Sequence, residues 1–184
     1  MAILPVRERV ISTPAVILNN PKYRQNFAGA IRSCSCYGIP TLLWTGSRLD
    51  LQDGERLPRE ERMKGYRNVY WENNDRPFDL FTDAVPVCVE LVEDAENLAQ
   101  FDHPEKAVYV FGPEDGNVSQ VFRMHCHRFI FIPSAHCLNL SVALGTVLYD
   151  RRAKRIREGK ESPIMTEILK ETRGIVDVDG WDGR

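Results

Sequence analysis

Short apolar runs alternate along the chain with longer segments in which apolar residues recur every three or four positions. The short runs predict β-strands at 15–18, 41–44, 68–71, 86–92, 107–111 and 128–132. The longer spacing predicts one helix over Asn26–Tyr37, which stops at Gly38, and another from Leu138 to about Arg157. Strands that alternate with helices, several of them apolar throughout, are typical of an α/β fold with a mainly parallel sheet flanked by helices.

The remaining segments have weaker patterns. The polar stretch Asp50–Asn68 predicts a loop with a short helix after Pro58, and Pro77–Asp83 predicts a loop or short helix. Residues 159–184 have little periodicity and predict a tail with a short helix at Pro163–Glu171. We therefore expect a single domain over residues 1–158, followed by a tail over 159–184.

Composition excludes several classes of protein. The 184 residues are 43% hydrophobic and 27% charged, as in an ordinary globular domain. No stretch approaches the roughly 18 uninterrupted apolar residues of a membrane span, and early charges interrupt any secretory signal. The formal net charge of −2 argues against a surface that is basic throughout, although it is compatible with a local basic face.

The cysteines and histidines bear on compartment and metal binding. The five cysteines are an odd number without a CxxC pair, which predicts a reduced, cytoplasmic protein. His125-Cys126-His127 and His136-Cys137 offer metal-ligand atoms. Their spacing does not aim two rings at one ion and no second cysteine pair exists, so we expect no metal site.

Polar or glycine-rich residues follow three of the predicted strands, where parallel α/β sheets bind ligands. Asn19-Asn20-Pro21 follows the first strand and leads into a helix that carries Asn26 and Arg32. Residues 112–119 follow the 107–111 strand, and residues 133–141 follow the last. Each segment alone also has a plain structural interpretation, as a tight turn for the glycines, a helix cap for Asn139 and a surface salt bridge for Arg32.

Taken together in this order, the three segments resemble the SpoU (TrmH-like) family of RNA ribose methyltransferases, within the SPOUT superfamily. The matching motifs are Asn26-Phe-Ala-Gly29-Ala-Ile-Arg32, then Gly112-Pro-Glu114-Asp-Gly116-Asn-Val-Ser119, then Ile132-Pro133 with Cys137-Leu138-Asn139-Leu140-Ser141. The resemblance covers about residues 14–157. The chain departs from the family pattern at Cys137, where serine is usual, and at Asp115 and Asn117, where glycines are common.

The resemblance implies a deep trefoil knot over about residues 86–157 and S-adenosylmethionine as the cofactor, held by the loops after three strands. The residues implied to contact the cofactor are Glu90, Leu91, Phe111, Gly112, Gly116, Ile132, Cys137, Leu138 and Leu140.

The implied reaction is methyl transfer to a ribose 2′-OH, with Arg32, Asn26, Glu114 and Asn139 as catalytic residues. The family assigns the arginine as base. Since arginine effectively never loses its proton, holding a phosphate and stabilising developing alkoxide charge is an equally physical role for Arg32. Asn26 would orient Arg32 or the ribose, and Glu114 would pair with an arginine or with Asn26. Asn139 would hold the second-motif loop or the cofactor.

The resemblance also implies partners. RNA is the expected substrate, and the compact size favours tRNA over rRNA. A homodimer is expected through the first and last helices, although their apolar stripe also suits an intrachain core. The candidate RNA contacts are basic residues: Lys22, Arg24, Arg32, Arg151, Arg152, Lys154 and Arg155. Two alternatives remain open, namely a catalytically inactive binding protein of the same fold and an enzyme that modifies a base nitrogen.

Overall fold

A computed structural model describes residues 11–49, 51 and 69–162, and these form a seven-stranded sheet with helices packed against it. The strands are β1 (Ala15–Leu18), β2 (Thr41–Trp44), β3 (Tyr70–Asn73), β4 (Val85–Val89), β5 (Glu96–Asn97), β6 (Ala107–Phe111) and β7 (Arg128–Phe131). The helices are α1 (Arg24–Cys36), α2 (Gln120–Met124) and α3 (Leu140–Arg157), with 3₁₀ turns at Pro77–Leu80 and Leu98–Gln100.

The strands lie in the order β3-β2-β1-β6-β4-β7-β5, and every neighbouring pair is parallel. Strand β1 pairs with β2 on one side and β6 on the other, with Ala15 opposite Thr41 and Val108. Because all pairs are parallel, the carboxyl ends of all seven strands lie at the same edge of the sheet. The loops that follow the strands therefore converge at that edge.

Both faces of the central strands are covered. In β1, Val16 and Leu18 pack in a core with α1 and α3, whereas Ala15 and Ile17 pack on the opposite face. Successive side chains of a strand point to opposite faces, so burial on both sides requires an apolar residue at every position. This explains why β1 and β6 are continuous apolar runs.

Helices α1 and α3 approach closely at two glycines. A Cβ added to Gly29 would lie 2.8 Å from the Cβ of Ser141, and one added to Gly145 would lie 3.5 Å from the Ser33 Oγ. The first contact leaves no room for a side chain at Gly29. The close approach brings the start of α3 beside Asn26, a buried residue in the first turns of α1.

The structure confirms the α/β class and the mainly parallel sheet. Strands β1, β2 and β6 have the predicted bounds, and the other predicted elements shift by one to three residues. Helix α3 begins at Leu140 because the Asn139 Oδ1 accepts the Ser141 N–H at 2.9 Å, which makes Asn139 a cap. Strand β5, whose two residues are polar, and the five-residue α2 were not predicted from the sequence. The helices predicted after Pro58 and at Pro163–Glu171 lie outside the described residues.

The chain divides into two compact units, Met1–Arg151 and Arg152–Arg184. The sheet belongs to the first unit. In the described part of the second, Gly159 takes a φ of +69° just after α3 ends, and the Lys160 N–H donates to the Arg155 carbonyl at 2.9 Å. Within the described residues, none of the helices combines the length and apolar character that a membrane crossing requires.

Candidate active site and cofactor pocket

A pocket of about 640 Å³ lies beyond the carboxyl ends of β6, β4 and β7. Its walls are residues 89–91, 111–114, 116–117 and 131–138, together with two residues of α3. All the residues that the resemblance assigned to the cofactor line this pocket: Glu90, Leu91, Phe111, Gly112, Gly116, Ile132, Cys137, Leu138 and Leu140. Three strands that are neighbours in the sheet but distant in the chain thus supply one cavity.

The loop after β6 turns tightly because of Gly112. A Cβ at this position would lie 2.8 Å from the Val118 backbone nitrogen and 3.1 Å from the Asn117 carbonyl carbon. The same Val118 N–H donates to the Glu90 Oε2 at 2.9 Å, while the Glu90 Oε1 accepts the Leu91 N–H at 3.0 Å. The Glu90 carboxylate therefore shapes the pocket by holding the backbone of two walls.

The pocket suits a nucleoside-type ligand. Its volume falls within the roughly 300–1,000 Å³ of small-molecule sites. Leu91 is 79% exposed and Leu138 39%, so large apolar side chains stand uncovered at the cavity, as a flat heterocycle requires. In the third wall, the Ser134 Oγ donates to the carbonyl of His136 at 2.9 Å, which holds that segment in place. These residues fit the adenosine part of S-adenosylmethionine.

A chain of hydrogen bonds joins three of the predicted catalytic residues beside the pocket. The Asn26 Nδ2 donates to the Glu114 Oε1 at 2.8 Å, and the Asn26 Oδ1 accepts from the Asn139 Nδ2 at 2.8 Å. The Asn139 Oδ1 in turn accepts from the hydroxyl of Ser141 at 2.8 Å. Of the two partners expected for Glu114, an arginine or Asn26, the structure shows Asn26. Asn139 was expected to hold the second-motif loop or the cofactor, and its amide instead contacts Asn26. The chain fixes which way the Asn26 amide faces.

Glu114 also binds the approach to α1. Its carboxylate accepts the backbone N–H groups of Lys22 at 2.8 Å and Tyr23 at 3.2 Å, just before the helix begins. Partial burial alone would raise the pKa of Glu114, but the Asn26 amide and the backbone N–H groups outweigh it and hold the pKa below the usual value. A carboxylate at this place also opposes the positive end of the α1 dipole.

Arg32 lies on α1, six residues after Asn26, and is half-buried. At about 100° per residue, its side chain leaves the helix roughly 120° around the axis from Asn26. The structure therefore brings Asn26, Glu114 and Asn139 together, and places Arg32 on another side of the same helix.

The candidate RNA contacts differ in their surroundings. Arg151 is only 4% exposed, and its guanidinium donates to the carbonyls of Pro104 at 2.6 Å and Glu105 at 2.9 Å. These bonds commit Arg151 to the protein interior, which corrects its assignment as an RNA contact. Arg24, Arg152, Lys154 and Arg155 are half-buried, and the Arg155 Nε donates to Glu161 at 2.8 Å. Lys22 is exposed.

The sequence reasoning missed an ion cluster beside the pocket. The Asp115 carboxylate contacts the Lys22 Nζ at 3.2 Å and the Arg48 Nη2 at 2.8 Å. Arg48 lies in the loop after β2, and the polar residues of that loop were the sequence feature that could have indicated a site there. Asn19 directly follows β1 and was not predicted as a site residue either. Its side chain joins the Thr45 hydroxyl at 3.1 Å to the Ser119 N–H at 2.8 Å.

The described residues contain no group of three or more His, Cys, Asp or Glu side chains placed to hold a metal ion. His125 stacks on Phe78 with ring centroids 4.6 Å apart, and the Cys126 thiol donates to the Phe122 carbonyl at 3.3 Å. Cys137 is an exposed free thiol in the pocket wall.

A parallel α/β sheet with a pocket across three strand ends, and a carboxylate–amide network beside it, is the arrangement in which such folds bind nucleotide-type ligands. The model of the SpoU rRNA Methylase family matches residues 13–149, and the chain belongs to this family. Its class is that of the RNA ribose 2′-O-methyltransferases, which use S-adenosylmethionine as methyl donor.

Individual relatives agree with this. The chain is 26% identical over 163 residues to a tRNA (guanosine(18)-2'-O)-methyltransferase of Aquifex aeolicus (strain VF5), covering 83% of this chain and 75% of that protein. The solved TrmH/SpoU tRNA modifying enzyme of A. aeolicus superposes with a TM-score of 0.70 at 23% identity, covering 90% of both chains. The SpoU methyltransferase AviRb of Streptomyces viridochromogenes, in complex with the cofactor AdoMet, gives 0.66 at 22% identity, over 83% of this chain and 63% of that one.

Proposed function

We propose that this protein transfers a methyl group from S-adenosylmethionine to the 2′-hydroxyl of one nucleotide in RNA, with tRNA favoured over rRNA. The observation that carries the proposal is the hydrogen-bonded chain from Glu114 through Asn26 to Asn139, because it links the pocket wall at Glu114 to Asn26 on α1. The preference for tRNA draws on the tRNA-modifying enzyme of A. aeolicus, which the chain matches over most of its length.

When bound, the cofactor supplies a methyl group on a positively charged sulfur, so the protein must position the hydroxyl and manage its proton. Residues 89–91, 111–114, 116–117 and 131–138 hold the donor. Glu114 holds the start of α1 at a fixed distance from that wall through the Lys22 and Tyr23 N–H groups. Asn26, oriented from both ends of its amide, fixes the helix face that the ribose meets.

Arg32 serves the reaction electrostatically in this proposal. It holds an RNA phosphate and stabilises the negative charge that develops on the attacking oxygen. Lys22 and Arg24 extend the RNA contact in the first unit, and the half-buried cations Arg152, Lys154 and Arg155 provide contacts in the second. Arg151 is left out because of its burial.

The further expectations belong to the same proposal. One methyltransferase domain over residues 1–158 carries the activity, with a tail over 159–184, in a cytoplasmic protein. The knot over about 86–157 is supported by the order β6-β4-β7, since the chain crosses from one side of β4 to the other between consecutive strands. A homodimer through α1 and α3 is supported by Val142 and Tyr149, which are large apolar α3 residues that remain exposed.

The test is methylation of unmodified total RNA with tritiated S-adenosylmethionine, followed by alkaline hydrolysis. A 2′-O-methyl group removes the nucleophile that alkali needs, so label in alkali-resistant dinucleotides supports the proposal. Arg32→Ala and Asn26→Ala should each remove most of the activity. Arg76→Ala is the control. Arg76 forms an ion pair with Asp79 at 2.7 Å and does not line the pocket.

Two other outcomes would count against the assigned reaction. Label in ordinary mononucleotides would mean base methylation and would refute the assigned reaction. No label with any RNA, while S-adenosylmethionine still binds, would favour an inactive binding protein of this fold.

A further inference from the structure

The ion cluster formed by Lys22, Arg48 and Asp115 lies next to the catalytic network, and none of its three residues lines the cofactor pocket. Its residues come from the loops after β1, β2 and β6, whereas the pocket lies over β6, β4 and β7. Asp115 directly follows Glu114, and the backbone N–H of Lys22 donates to Glu114. The ion cluster therefore adjoins Glu114 in two ways, through Asp115 in the sequence and through a hydrogen bond from the Lys22 backbone.

We infer that Lys22 and Arg48 form a subsite for an RNA backbone phosphate next to the modified ribose, and that Asp115 occupies this subsite when RNA is absent. The inference rests on the proposed function and deepens it. It adds Arg48 and Asp115 to the residues that recognise the substrate.

The geometry of the ion cluster supports this role. One guanidinium nitrogen of Arg48 contacts both Asp115 oxygens, at 2.9 and 2.8 Å, and the Lys22 ammonium contacts one of them at 3.2 Å. Two cations thus converge on a pair of anionic oxygens, the arrangement by which proteins bind phosphate. All three side chains are accessible, with 42%, 31% and 47% exposure for Lys22, Arg48 and Asp115. Two cations serve the single Asp115 carboxylate, while the neighbouring Glu114 carboxylate is bound by backbone N–H groups and Asn26.

The neighbouring Tyr23 ring points to a nucleotide. Tyr23 is 47% exposed, and the Lys22 ammonium lies 5.2 Å from its ring centroid. An exposed aromatic ring beside cations is the surface on which proteins stack single-stranded bases.

The expected position of the acceptor ribose is consistent with a phosphate at the ion cluster. The methyl donor fills the pocket over β6, β4 and β7, and Asn26, which contacts the pocket residue Glu114, lies on the helix that follows β1. We therefore place the acceptor ribose on the β1 side of the pocket. Each ribose in RNA is flanked by phosphates, which brings an anion to that side together with the hydroxyl. Exposed ion pairs are weak in water, so a phosphate displaces the Asp115 carboxylate at little cost.

The experiment measures binding of a fluorescein-labelled unmodified tRNA transcript by anisotropy at several salt concentrations, with the KM for the same RNA in methyl transfer. Asp115→Asn removes the competing anion and should tighten binding about two- to fivefold. Arg48→Gln should weaken binding about three- to tenfold and reduce the salt slope by about one. The affinity for S-adenosylmethionine should stay unchanged in both.

Asp83→Asn is the matched control. It makes the same charge change in another exposed ion pair, that of Asp83 with Lys106. This pair lies at the amino ends of β4 and β6, away from the strand ends that form the site. Equal tightening by Asp83→Asn would show a net-charge effect and overturn the inference. Weaker RNA or cofactor binding by Asp115→Asn would show that the ion cluster merely ties three loops together, and would also overturn it.

The two proposals fail separately. If the unmutated protein methylates RNA but the variants bind it alike, only the phosphate subsite is refuted. If RNA receives no label yet Asp115→Asn tightens and Arg48→Gln weakens binding, the subsite stands and the proposed reaction fails.

Discussion

Gly112 offers a sharp test of how the pocket is built, because its substitution by alanine pushes directly on a hydrogen-bonded wall. The added Cβ would lie 2.8 Å from the Val118 nitrogen, whereas ordinary contacts begin at 3.4 Å. The loop must therefore move by about 0.6 Å. That shift equals the margin that keeps the Val118 N–H, now 2.9 Å from Glu90, within hydrogen-bond distance.

The expected magnitude follows from this collision. Forcing a methyl group against packed backbone costs about 1–3 kcal/mol. If the loop relieves the strain by leaving its binding conformation, the affinity for S-adenosylmethionine falls about 5- to 150-fold, at about 1.4 kcal/mol per factor of ten.

Isothermal titration with S-adenosylmethionine measures the effect, and Gly145→Ala provides the control. Gly145 lies on α3 outside the pocket lining, and its added Cβ would lie at an ordinary 3.5 Å from the Ser33 Oγ. We expect this variant to bind within about twofold of the unmutated protein. Equal losses in both variants, or unchanged binding in Gly112→Ala with an unchanged melting temperature, would refute the reasoning.

Two further predictions concern stability. Glu114→Gln should lower the melting temperature by about 3–8 °C at pH 7, because a carboxylate with about 1.5–3 kcal/mol of hydrogen bonding is lost. Its pKa lies below the ordinary 4.5, so the stabilisation is present above that pH and is lost as the pH falls through the lower folded value. The difference from the unmutated protein should therefore shrink in acid, and a constant difference would contradict the assignment. Gly29→Ala should destabilise the fold by about 1–3 kcal/mol in urea, since its Cβ would lie 2.8 Å from α3. Gly145→Ala, at an ordinary 3.5 Å, should be neutral or up to about 1 kcal/mol stabilising, and equal losses would argue against close helix packing.

The parts of the fold that the sequence predicted well are those whose burial leaves no choice of residue. β1, β2 and β6 are buried at every position, so each is an unbroken apolar run in the sequence, preceded in β2 by Thr41. The pocket was similarly accessible, because its residues follow strand ends in three recognisable motifs. β5 and α2 were missed since neither is long enough to show a period.

What the sequence could not predict depends on contacts between distant residues. The basic run that begins at Arg151 looks like a solvated helix end. The burial of its first arginine depends on carbonyls at Pro104 and Glu105, 47 and 46 residues away. Asp115 meets partners 93 and 67 residues earlier in the chain. No local pattern encodes such pairs, because each partner alone is an ordinary surface charge.

The wholly parallel sheet has a consequence for synthesis on the ribosome. The first strand made, β1, pairs with β6, and Ala15 lies opposite Val108. At about 5–20 residues per second, roughly 5–20 s of translation separate the two. During that interval a fully apolar strand has one open edge, which makes the nascent chain a client for chaperones. The hydrogen bond between Asn26 and Asn139 forms later still, because Asn139 is synthesised 113 residues after Asn26. A chain that stops between residues 132 and 138 therefore has all seven strands but lacks Asn139, so the hydrogen-bond network beside the pocket is incomplete.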